Sequence, residues 1–406
     1  MTAHIQHFQV IIVGASLAGL TAAESLRDEG FSGSIAVIGE EMHAPYLRPS
    51  LSKQVLKGVW GPTQAAIREP SQLADLDIAL MLGRGARRLD IAGRTIEVGE
   101  RVLGYEDLII ATGAVARGLE TESVSASDPV HALRTLDDAI ALRGAMSSAD
   151  RIAIVGAGVL GCEIASVARG AGVDTVMIGR APTLSFGGLG TALSPRIVSL
   201  LAENGVELRL GSAVSAARAR AQGGGVRLAD GSLIEADLVV AAVGCRPAVD
   251  WLRGSGLEIA DGVVCDAHGR AAPHVFAVGD VAAWFDASSG THQRVEHQQN
   301  AIEQAQAVAR SLVHGIPSAP IIPFFWSELF GTRILSCGRV SHDATISTLH
   351  GDPQRDRFVL AATYRGAVEG LIGWNMPREF RLARADLLAS SGERHLISAG
   401  RGTEYP

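Results

Sequence analysis

Two glycine-rich segments of the chain have the spacing that binds the phosphates of a dinucleotide. They read Gly14-Ala15-Ser16-Leu17-Ala18-Gly19 and Gly156-Ala157-Gly158-Val159-Leu160-Gly161. Each follows a short apolar run and opens an Ala-rich stretch, which is the strand–turn–helix context that the G-x-G-x-x-G pattern needs. The first glycine allows a tight turn, the second allows close approach to a pyrophosphate, and the third lets the helix pack on the strand. Two segments predict two dinucleotides, and electron transfer between them is the simplest reason to hold both.

The second strand of each unit ends at a residue that can contact an adenosine ribose. Ile35–Ile38 leads to Glu40, whose carboxylate can accept hydrogen bonds from a ribose diol; alternatively, Glu40 only solvates a loop. Thr175–Ile178 leads instead to Gly179 and Arg180. An arginine there tends to admit a 2′-phosphate and hence NADPH, unless it stacks on adenine or faces solvent. The sequence therefore leaves the choice between NADH and NADPH open.

The internal repeat extends to a later strand of each unit. Residues 105–113 resemble residues 235–244, and the two segments end at Thr112-Gly113 and Val243-Gly244. A glycine there would let the backbone come close to a cofactor. Residues 275–280 form a further strand that ends at Gly279-Asp280, which places a carboxylate at a strand edge. Because this strand follows the second unit, the first domain is predicted to be discontinuous.

These elements predict an α/β protein with two Rossmann-like dinucleotide-binding domains and a C-terminal α+β domain. The first domain would comprise residues 1–113 and 245–320, and the second residues 114–244. From residue 321 the apolar residues alternate, as at Ile334, Phe358 and Leu360, which is typical of an antiparallel sheet. A final helix is expected near Arg378–Ser390.

Composition excludes several classes of function. The chain has 406 residues, 47% of them hydrophobic, and a net charge of −7, which argues against a nucleic-acid binder. No apolar run approaches the ~18 residues of a membrane span, and the N-terminus has no leader pattern. The four cysteines form no C-x-x-C pair, which favours a reducing cytoplasm and predicts no metal site.

Several longer motifs resemble one family. The segment Pro45-Tyr46-Leu47-Arg48-Pro49-Ser50-Leu51-Ser52-Lys53 is close to a P-Y-x-R-P-x-L-S-K pattern found in the FAD-dependent ferredoxin reductases of bacterial aromatic-ring dioxygenase and cytochrome P450 systems. The resemblance covers essentially the whole chain. It implies a glutathione-reductase-like architecture. The further matches are Leu133–Asp138, Gly161-Cys162-Glu163, Val243–Pro247, Gly279-Asp280, Arg294–His297 with Asn300-Ala301, and Phe325-Trp326-Ser327.

Together with the glycine segments, the resemblance implies a set of site residues. FAD is expected at Gly14, Ser16, Ala18, Gly19, Glu40, Arg48, Lys53, Ala86, Thr112, Gly113, Arg134, Asp280, Gln298 and Trp326. NAD(P)H is expected at Gly156, Gly158, Gly161, Glu163, Gly179, Arg180, Val243 and Gly244. Lys53 would lie beside the flavin, paired with Glu163 in the first turn of the second unit's helix, as the catalytic pair. The alternatives are a surface ion pair of no consequence and, for Trp326, an ordinary core tryptophan.

Three positions depart from the family pattern. Gly179 stands where NADH-specific relatives usually carry Glu, Leu47 where many have Asp, and Gln298 where Trp or Val is common. The family resemblance favours NADH, whereas the first departure makes NADPH possible.

The implied reaction passes a hydride from NAD(P)H to FAD and then single electrons to a [2Fe–2S] ferredoxin that feeds an oxygenase. Residues 42–46 contain no cysteine where related disulfide reductases carry a pair, so electrons would leave from the flavin itself. An NAD(P)H oxidase or diaphorase, a rubredoxin reductase, and a non-enzymatic flavoprotein whose nucleotides gate an interaction stay open. Arg378, Arg381 and Arg384 could steer an acidic ferredoxin or simply form a solvated helix face.

Overall fold

The computed structural model describes residues 5–119, 130–186, 189–218, 224–287, 289–316, 321–341 and 343–390. The first part of the chain contains seven strands and three helices: β1 (Gln6–Val13), α1 (Leu17–Asp28), β2 (Ile35–Ile38), α2 (Pro62–Ala65), α3 (Pro70–Ala74), β3 (Ile78–Met81), β4 (Ala86–Asp90), β5 (Thr95–Val98), β6 (Arg101–Ile110) and β7 (Ala114–Ala116).

The second part contains the repeated unit: α4 (Leu136–Met146), β8 (Arg151–Val155), α5 (Val159–Gly170), β9 (Asp174–Gly179), α6 (Gly190–Glu203), β10 (Val206–Leu210), β11 (Val214–Arg218), β12 (Gly225–Leu228), β13 (Leu233–Glu235) and β14 (Leu238–Ala241). The chain then returns through β15 (Cys245–Pro247), β16 (Ile259–Ala260), β17 (Gly262–Cys265), β18 (Arg270–Ala272), β19 (Val275–Ala277), β20 (Ala282–Asp286), β21 (Thr291–Arg294) and α7 (Gln298–His314). The C-terminal part holds β22 (Phe324–Leu329), β23 (Thr332–Gly338), β24 (Thr345–Asp352), β25 (Arg357–Tyr364), β26 (Ala367–Trp374) and α8 (Pro377–Ser390).

The first sheet is built around β1. Its order is β18-β19-β6-β1-β2-β3, with the β4–β5 hairpin attached to β6. Strands β1, β2, β3, β6 and β19 pair in parallel, and all four residues of β2 are buried. Such continuous apolar runs are typical of parallel strands that are covered on both faces. Because β19 follows the repeated unit in the chain, the first sheet is completed only by the returning segment.

The second and third sheets belong to separate parts of the chain. Strands β10-β9-β8-β14 form a parallel sheet, and β22-β23-β26-β25-β24 form an antiparallel one. The short strands β7 and β15, on the two connections between the first and second sheets, pair with each other. The strands of each large sheet fall within the predicted domain ranges, although the exact boundaries stay a prediction.

Helix α8 closes the antiparallel sheet through one aromatic side chain. Phe380 is 1% exposed, and a Cβ on Gly373 of β26 would lie 2.6 Å from its ring, so the glycine lets the ring pack against the strand. The helix begins at Pro377, one residue before the expected start, in keeping with the preference for proline in the first turn. Among the helices in the described ranges, none is long and apolar enough to span a membrane.

Replacing Phe380 with alanine is expected to lower the free energy of unfolding by about 3–5 kcal/mol, because the fully buried ring leaves a cavity. The midpoint of urea-induced unfolding, followed by circular dichroism, measures the change. Leu382→Ala on the same helix is the matched control, since Leu382 is 61% exposed and its loss is expected to change stability by about 0.5 kcal/mol or less. Equal losses in the two variants would contradict the packing described here.

Candidate active site

The turn after β1 has backbone contacts that exclude any side chain. Gly14 has φ +122°, and a Cβ there would lie 2.0 Å from the carbonyl oxygen of Ala111. At Gly19 a Cβ would lie 1.8 Å from the carbonyl oxygen of Gly14, so α1 packs directly on the turn. Helix α1 begins at Leu17 after an extended Ser16 and has no acidic residue in its first turn. This helix N-terminus therefore presents the partial positive charge that suits a pyrophosphate.

Glu40 lies at the carboxyl end of β2, at the same sheet edge as this turn. The residue before it, Gly39, packs so closely that a Cβ would lie 2.7 Å from the Cβ of Ala15. Glu40 is exposed, and its carboxyl carbon lies 3.5 Å from the Cβ position of Gly85, next to the half-buried Ala86. The structure thus brings Glu40 and Ala86 together beside the first turn.

Asp280 and Arg134 form an ion pair at the carboxyl end of the first sheet. Arg134 Nη2 donates to Asp280 Oδ2 at 2.8 Å. Burial opposes the charge of the guanidinium, but Asp280, together with Cys245 and Glu296, raises the pKa of Arg134 overall. Gly113, with φ +69°, lies against Arg134, and Ala18 lies against Gly279, which precedes Asp280. The first glycine turn, the end of β6 and the end of β19 therefore meet at one place.

Arg48 links this place to two residues that the sequence analysis missed. Its guanidinium contacts Glu41 Oε1 at 2.6 Å and the Tyr46 hydroxyl at 3.1 Å, and its Nε donates to Ser16 Oγ at 3.3 Å. The Tyr46 hydroxyl donates to Glu41 Oε2 at 2.6 Å, and burial raises the pKa of this phenol. Tyr46 lies inside the motif that contains Arg48, so its position was a usable signal; Glu41 had none beyond adjacency to Glu40.

The predicted pair of Lys53 and Glu163 forms, and it is buried. Lys53 Nζ lies 2.7 Å from Glu163 Oε1, and the two residues are 9% and 6% exposed, so the surface ion-pair alternative is wrong. Lys53 lies in a π-helical turn, Leu51–Val55, a rare geometry that is frequent at functional sites. Its ammonium lies 5.1 Å from the centre of the Trp326 ring, and Trp326 is 36% exposed and thus not an ordinary core residue.

Glu163 lies farther along its helix than the sequence predicted. Helix α5 begins at Val159 and has no acidic residue in its first turn, so the expected first-turn position is wrong. The carboxylate depends on local donors instead of the helix terminus. Besides Lys53, the hydroxyls of Ser52 and Ser327 donate to it, at 2.5 and 2.6 Å. Neither serine was predicted, although both lie inside motifs that the sequence analysis identified.

The second glycine turn repeats the geometry of the first. Gly156 has φ +124°, a Cβ there would lie 2.1 Å from the carbonyl oxygen of Ala242, and a Cβ on Gly161 would lie 2.1 Å from the carbonyl oxygen of Gly156. Gly158 caps α5 in an extended conformation. The segment that follows the neighbouring strand β14 is accessible to solvent at Val243, which is 36% exposed, and Gly244 there has φ +92°.

Arg180 occupies the position in the second unit that Glu40 occupies in the first. A Cβ on Gly179 would lie 2.7 Å from the Cβ of Ala157, matching the contact between Gly39 and Ala15 in the first unit. Arg180 is exposed, as Glu40 is. The two units therefore present opposite charges at equivalent points.

Gln298 is the first residue of α7 and is half-buried. The preceding His297 packs against Phe325, with ring centres 5.4 Å apart, and burial lowers the pKa of its imidazole. Thr112 turns its hydroxyl to the carbonyl oxygen of Ala248 at 2.9 Å, so its side chain holds the returning chain.

The cysteines do not form a redox centre. All four are free. Burial raises the pKa of Cys162, Cys245 and Cys265 to about 12, so these thiols stay protonated and poorly nucleophilic at neutral pH. Within the described ranges, moreover, no group of three or more His, Cys, Asp or Glu residues could hold a metal ion.

The three arginines of α8 do not share one environment. Arg378 and Arg381 are exposed, whereas Arg384 lies 4.8 Å over the Phe324 ring and 3.9 Å from Glu303. Only the first two are available as a solvent-facing positive patch.

Comparison with known proteins shows which family the chain resembles. Residues 8–305 match the family described as pyridine nucleotide-disulphide oxidoreductase. The chain is 35% identical to the benzene 1,2-dioxygenase system ferredoxin–NAD(+) reductase subunit of Pseudomonas putida, over 92% of this chain and 91% of that protein. It is 34% identical to the biphenyl dioxygenase system ferredoxin–NAD(+) reductase component of Paraburkholderia xenovorans (strain LB400), with the same coverage.

Two solved structures are similar over nearly the whole chain. The ferredoxin reductase for the CYP199A2 system of Rhodopseudomonas palustris has a TM-score of 0.88 at 30% identity and covers 93% of both chains. The reductase in a covalent putidaredoxin reductase–putidaredoxin complex has a TM-score of 0.88 at 27% identity and covers 94% of this chain and 93% of that one. The resemblance, the fold class and the enzyme class expected from the sequence are confirmed. The chain belongs to the pyridine nucleotide-disulphide oxidoreductase family, among its ferredoxin reductases.

Proposed function

We propose that the protein passes electrons from NAD(P)H, through FAD, to a [2Fe–2S] ferredoxin that serves an oxygenase. The observation that carries the proposal is the buried Lys53–Glu163 pair between the two glycine turns. Glu163 lies on the helix that starts at the second turn, and Lys53 follows Arg48, which contacts the first turn through Ser16. A cytoplasmic location is part of the proposal and is supported by four cysteines that form no disulfide bond.

The residues of the first unit fit FAD. The N-terminus of α1 suits the pyrophosphate, Glu40 lies where a ribose diol would be bound, and Asp280, held by Arg134, suits the hydroxyls of a ribityl chain. FAD, when bound, takes two electrons from a nicotinamide and releases them singly. The protein's own contribution is to fix the ammonium of Lys53 beside Trp326 and to exclude water from the Lys53–Glu163 pair.

The second unit would hold the nicotinamide dinucleotide. Its glycine turn and α5 repeat the phosphate-binding geometry, and the exposed strand end at Val243 and Gly244 leaves the backbone accessible to a ligand. Glu163, on the same helix, would then lie on the nicotinamide side of the pair. No general base is required, because a hydride transfer depends mainly on the relative position of the two rings.

The function is tested by the rate of cytochrome c reduction with and without added [2Fe–2S] ferredoxin. We expect ferredoxin to stimulate the rate at least ~10-fold, since the flavin has no cysteine pair through which to pass electrons. Rapid NAD(P)H consumption with oxygen and no response to ferredoxin would instead identify an oxidase or diaphorase. Stimulation by rubredoxin alone would identify a rubredoxin reductase, and slow turnover with every acceptor would favour a nucleotide-gated interaction protein.

We further propose that Arg180 favours NADPH, because it stands where the first unit carries Glu40, the residue that we assign to the ribose of FAD. A charge-assisted hydrogen bond to a 2′-phosphate contributes roughly 1.5–3 kcal/mol, so Arg180→Ala is expected to raise the KM for NADPH by ~10-fold or more and to leave the KM for NADH within ~2-fold.

Steady-state kinetics with both nucleotides measures this difference. Arg253→Ala, which removes the same charge from an arginine whose side chain is 84% exposed in the other dinucleotide domain, is the matched control. Equal changes in KM for NADPH and NADH in the Arg180 variant would show that this side chain does not recognise the 2′ position.

A further inference from the structure

The Glu163 carboxylate, on the second unit, accepts hydrogen bonds from the first unit and from the C-terminal domain. Oε1 accepts from Lys53 Nζ at 2.7 Å and from Ser327 Oγ at 2.6 Å, while Oε2 accepts from Ser52 Oγ. Ser52 and Lys53 lie in the π-helical turn of the first unit, Glu163 lies on α5 of the second, and Ser327 lies on β22 of the C-terminal domain. Ser327 is 0% exposed and Ser52 4%, so water does not replace these bonds.

Ser327 shares one oxygen of the carboxylate with the ammonium of Lys53. A carboxylate group can rotate about its terminal bond, which turns both oxygens away from their partners. Donors at both oxygens oppose that rotation, because a buried acceptor that loses its partner is left unsatisfied. The position of Oε1, and therefore of the ammonium that is bound to it, depends on the two serine hydroxyls.

The ammonium has further contacts that fix its direction. Lys53 Nζ also donates to the carbonyl oxygen of Pro49 at 3.3 Å and lies 5.1 Å from the centre of the Trp326 ring. Trp326 and Ser327 are neighbours on β22, so the same strand contacts the ammonium through the ring and the carboxylate through the hydroxyl. A shift of β22 would therefore change both contacts of the pair at once.

We propose that Ser327, assisted by Ser52, is a positioning residue that holds the Glu163 carboxylate and, through it, the Lys53 ammonium where hydride passes from nicotinamide to flavin. This inference rests on the proposed function, which places the Lys53–Glu163 pair beside the reacting rings. It assigns the C-terminal domain a role in flavin reduction.

The test is anaerobic stopped-flow reduction of the FAD-loaded enzyme by NAD(P)H, in a cycle of variants. Ser327→Ala is expected to lower the saturating rate of flavin reduction by ~3- to 10-fold with little change in the apparent Kd for the nucleotide. Ser327→Thr, which keeps the hydroxyl, is expected to retain the rate within ~2-fold. In a Glu163→Gln background, Ser327→Ala is expected to slow reduction by less than ~2-fold further, because the group that it positions is already altered.

A control variant and two measurements of folding distinguish a positioning role from a general loss of structure. Ser336→Ala, which removes a buried hydroxyl from the neighbouring strand β23, is expected to leave the rate unchanged, and flavin content with the thermal midpoint reports whether each variant is folded. Should Ser327→Ala lose its flavin, Ser52→Ala takes its place in the same cycle.

The outcomes separate this inference from the proposed function. If Lys53→Met and Glu163→Gln slow flavin reduction but both serine variants do not, or if the serine and Glu163 effects simply multiply, the positioning role is wrong and the proposed function stands. If Lys53→Met and Glu163→Gln leave flavin reduction unchanged, the pair does not act at the reacting rings. The placement of the pair beside the rings and the inference that rests on it are then both wrong.

Discussion

A charge that is buried among three domains constrains all of them. The Glu163 carboxylate is 6% exposed and can remain ionised there only with close donors, because the loss of water must be compensated locally. Its donors Lys53 and Ser327 lie 110 and 164 residues from it in the chain. The π-helical turn, α5 and β22 must therefore meet at one point. Buried ion pairs are weak sources of stability, so the pair is better understood as fixing geometry than as holding the fold together.

The two glycine-turn units have the same backbone packing at their turns but carry opposite charges at the residue beside it. At Gly14 and Gly156 the carbonyl oxygen of a neighbouring strand occupies the space of a side chain, and Gly39 and Gly179 face alanines at the same distance. These contacts are set by the close approach of each turn to the neighbouring strand ends and leave little freedom for substitution. The next residue, Glu40 or Arg180, is exposed and unconstrained by packing. The charge at this position can therefore change without disturbing the turn.

Local patterns predicted the fold well because its signals are local. The glycine turns, the buried strands such as Ile35–Ile38 and the terminal helix follow from residues close together in sequence. The contacts of Ser52 and Ser327 do not, since a serine has no periodicity that reveals a partner in another domain. The first-turn position expected for Glu163 was wrong because α5 begins at Val159, directly after the second glycine of its turn, so that Glu163 lies beyond the first helical turn.

The exposure of the arginines on α8 also could not be predicted from the sequence. Spacing places Arg378, Arg381 and Arg384 around one side of a helix, but which of them reach solvent depends on the strand beneath. The guanidinium of Arg384 lies over the ring of Phe324 on β22, so Arg384 is not among the exposed arginines. The choice of nucleotide at Arg180 is likewise a matter of ligand contact and cannot be derived from folding propensity.

The insertion of the second unit into the first has a consequence for synthesis. Strand β6 pairs with β19, Leu108 opposite Val275, and β19 lies beyond the whole inserted unit. While the chain is being made, β6 keeps an unpaired edge until β19 has been translated, and such edges are templates for wrong pairing. The inserted unit can complete its own β10-β9-β8-β14 sheet in that interval. The order of translation thus favours folding of the second unit before the first, although the first unit begins earlier in the chain.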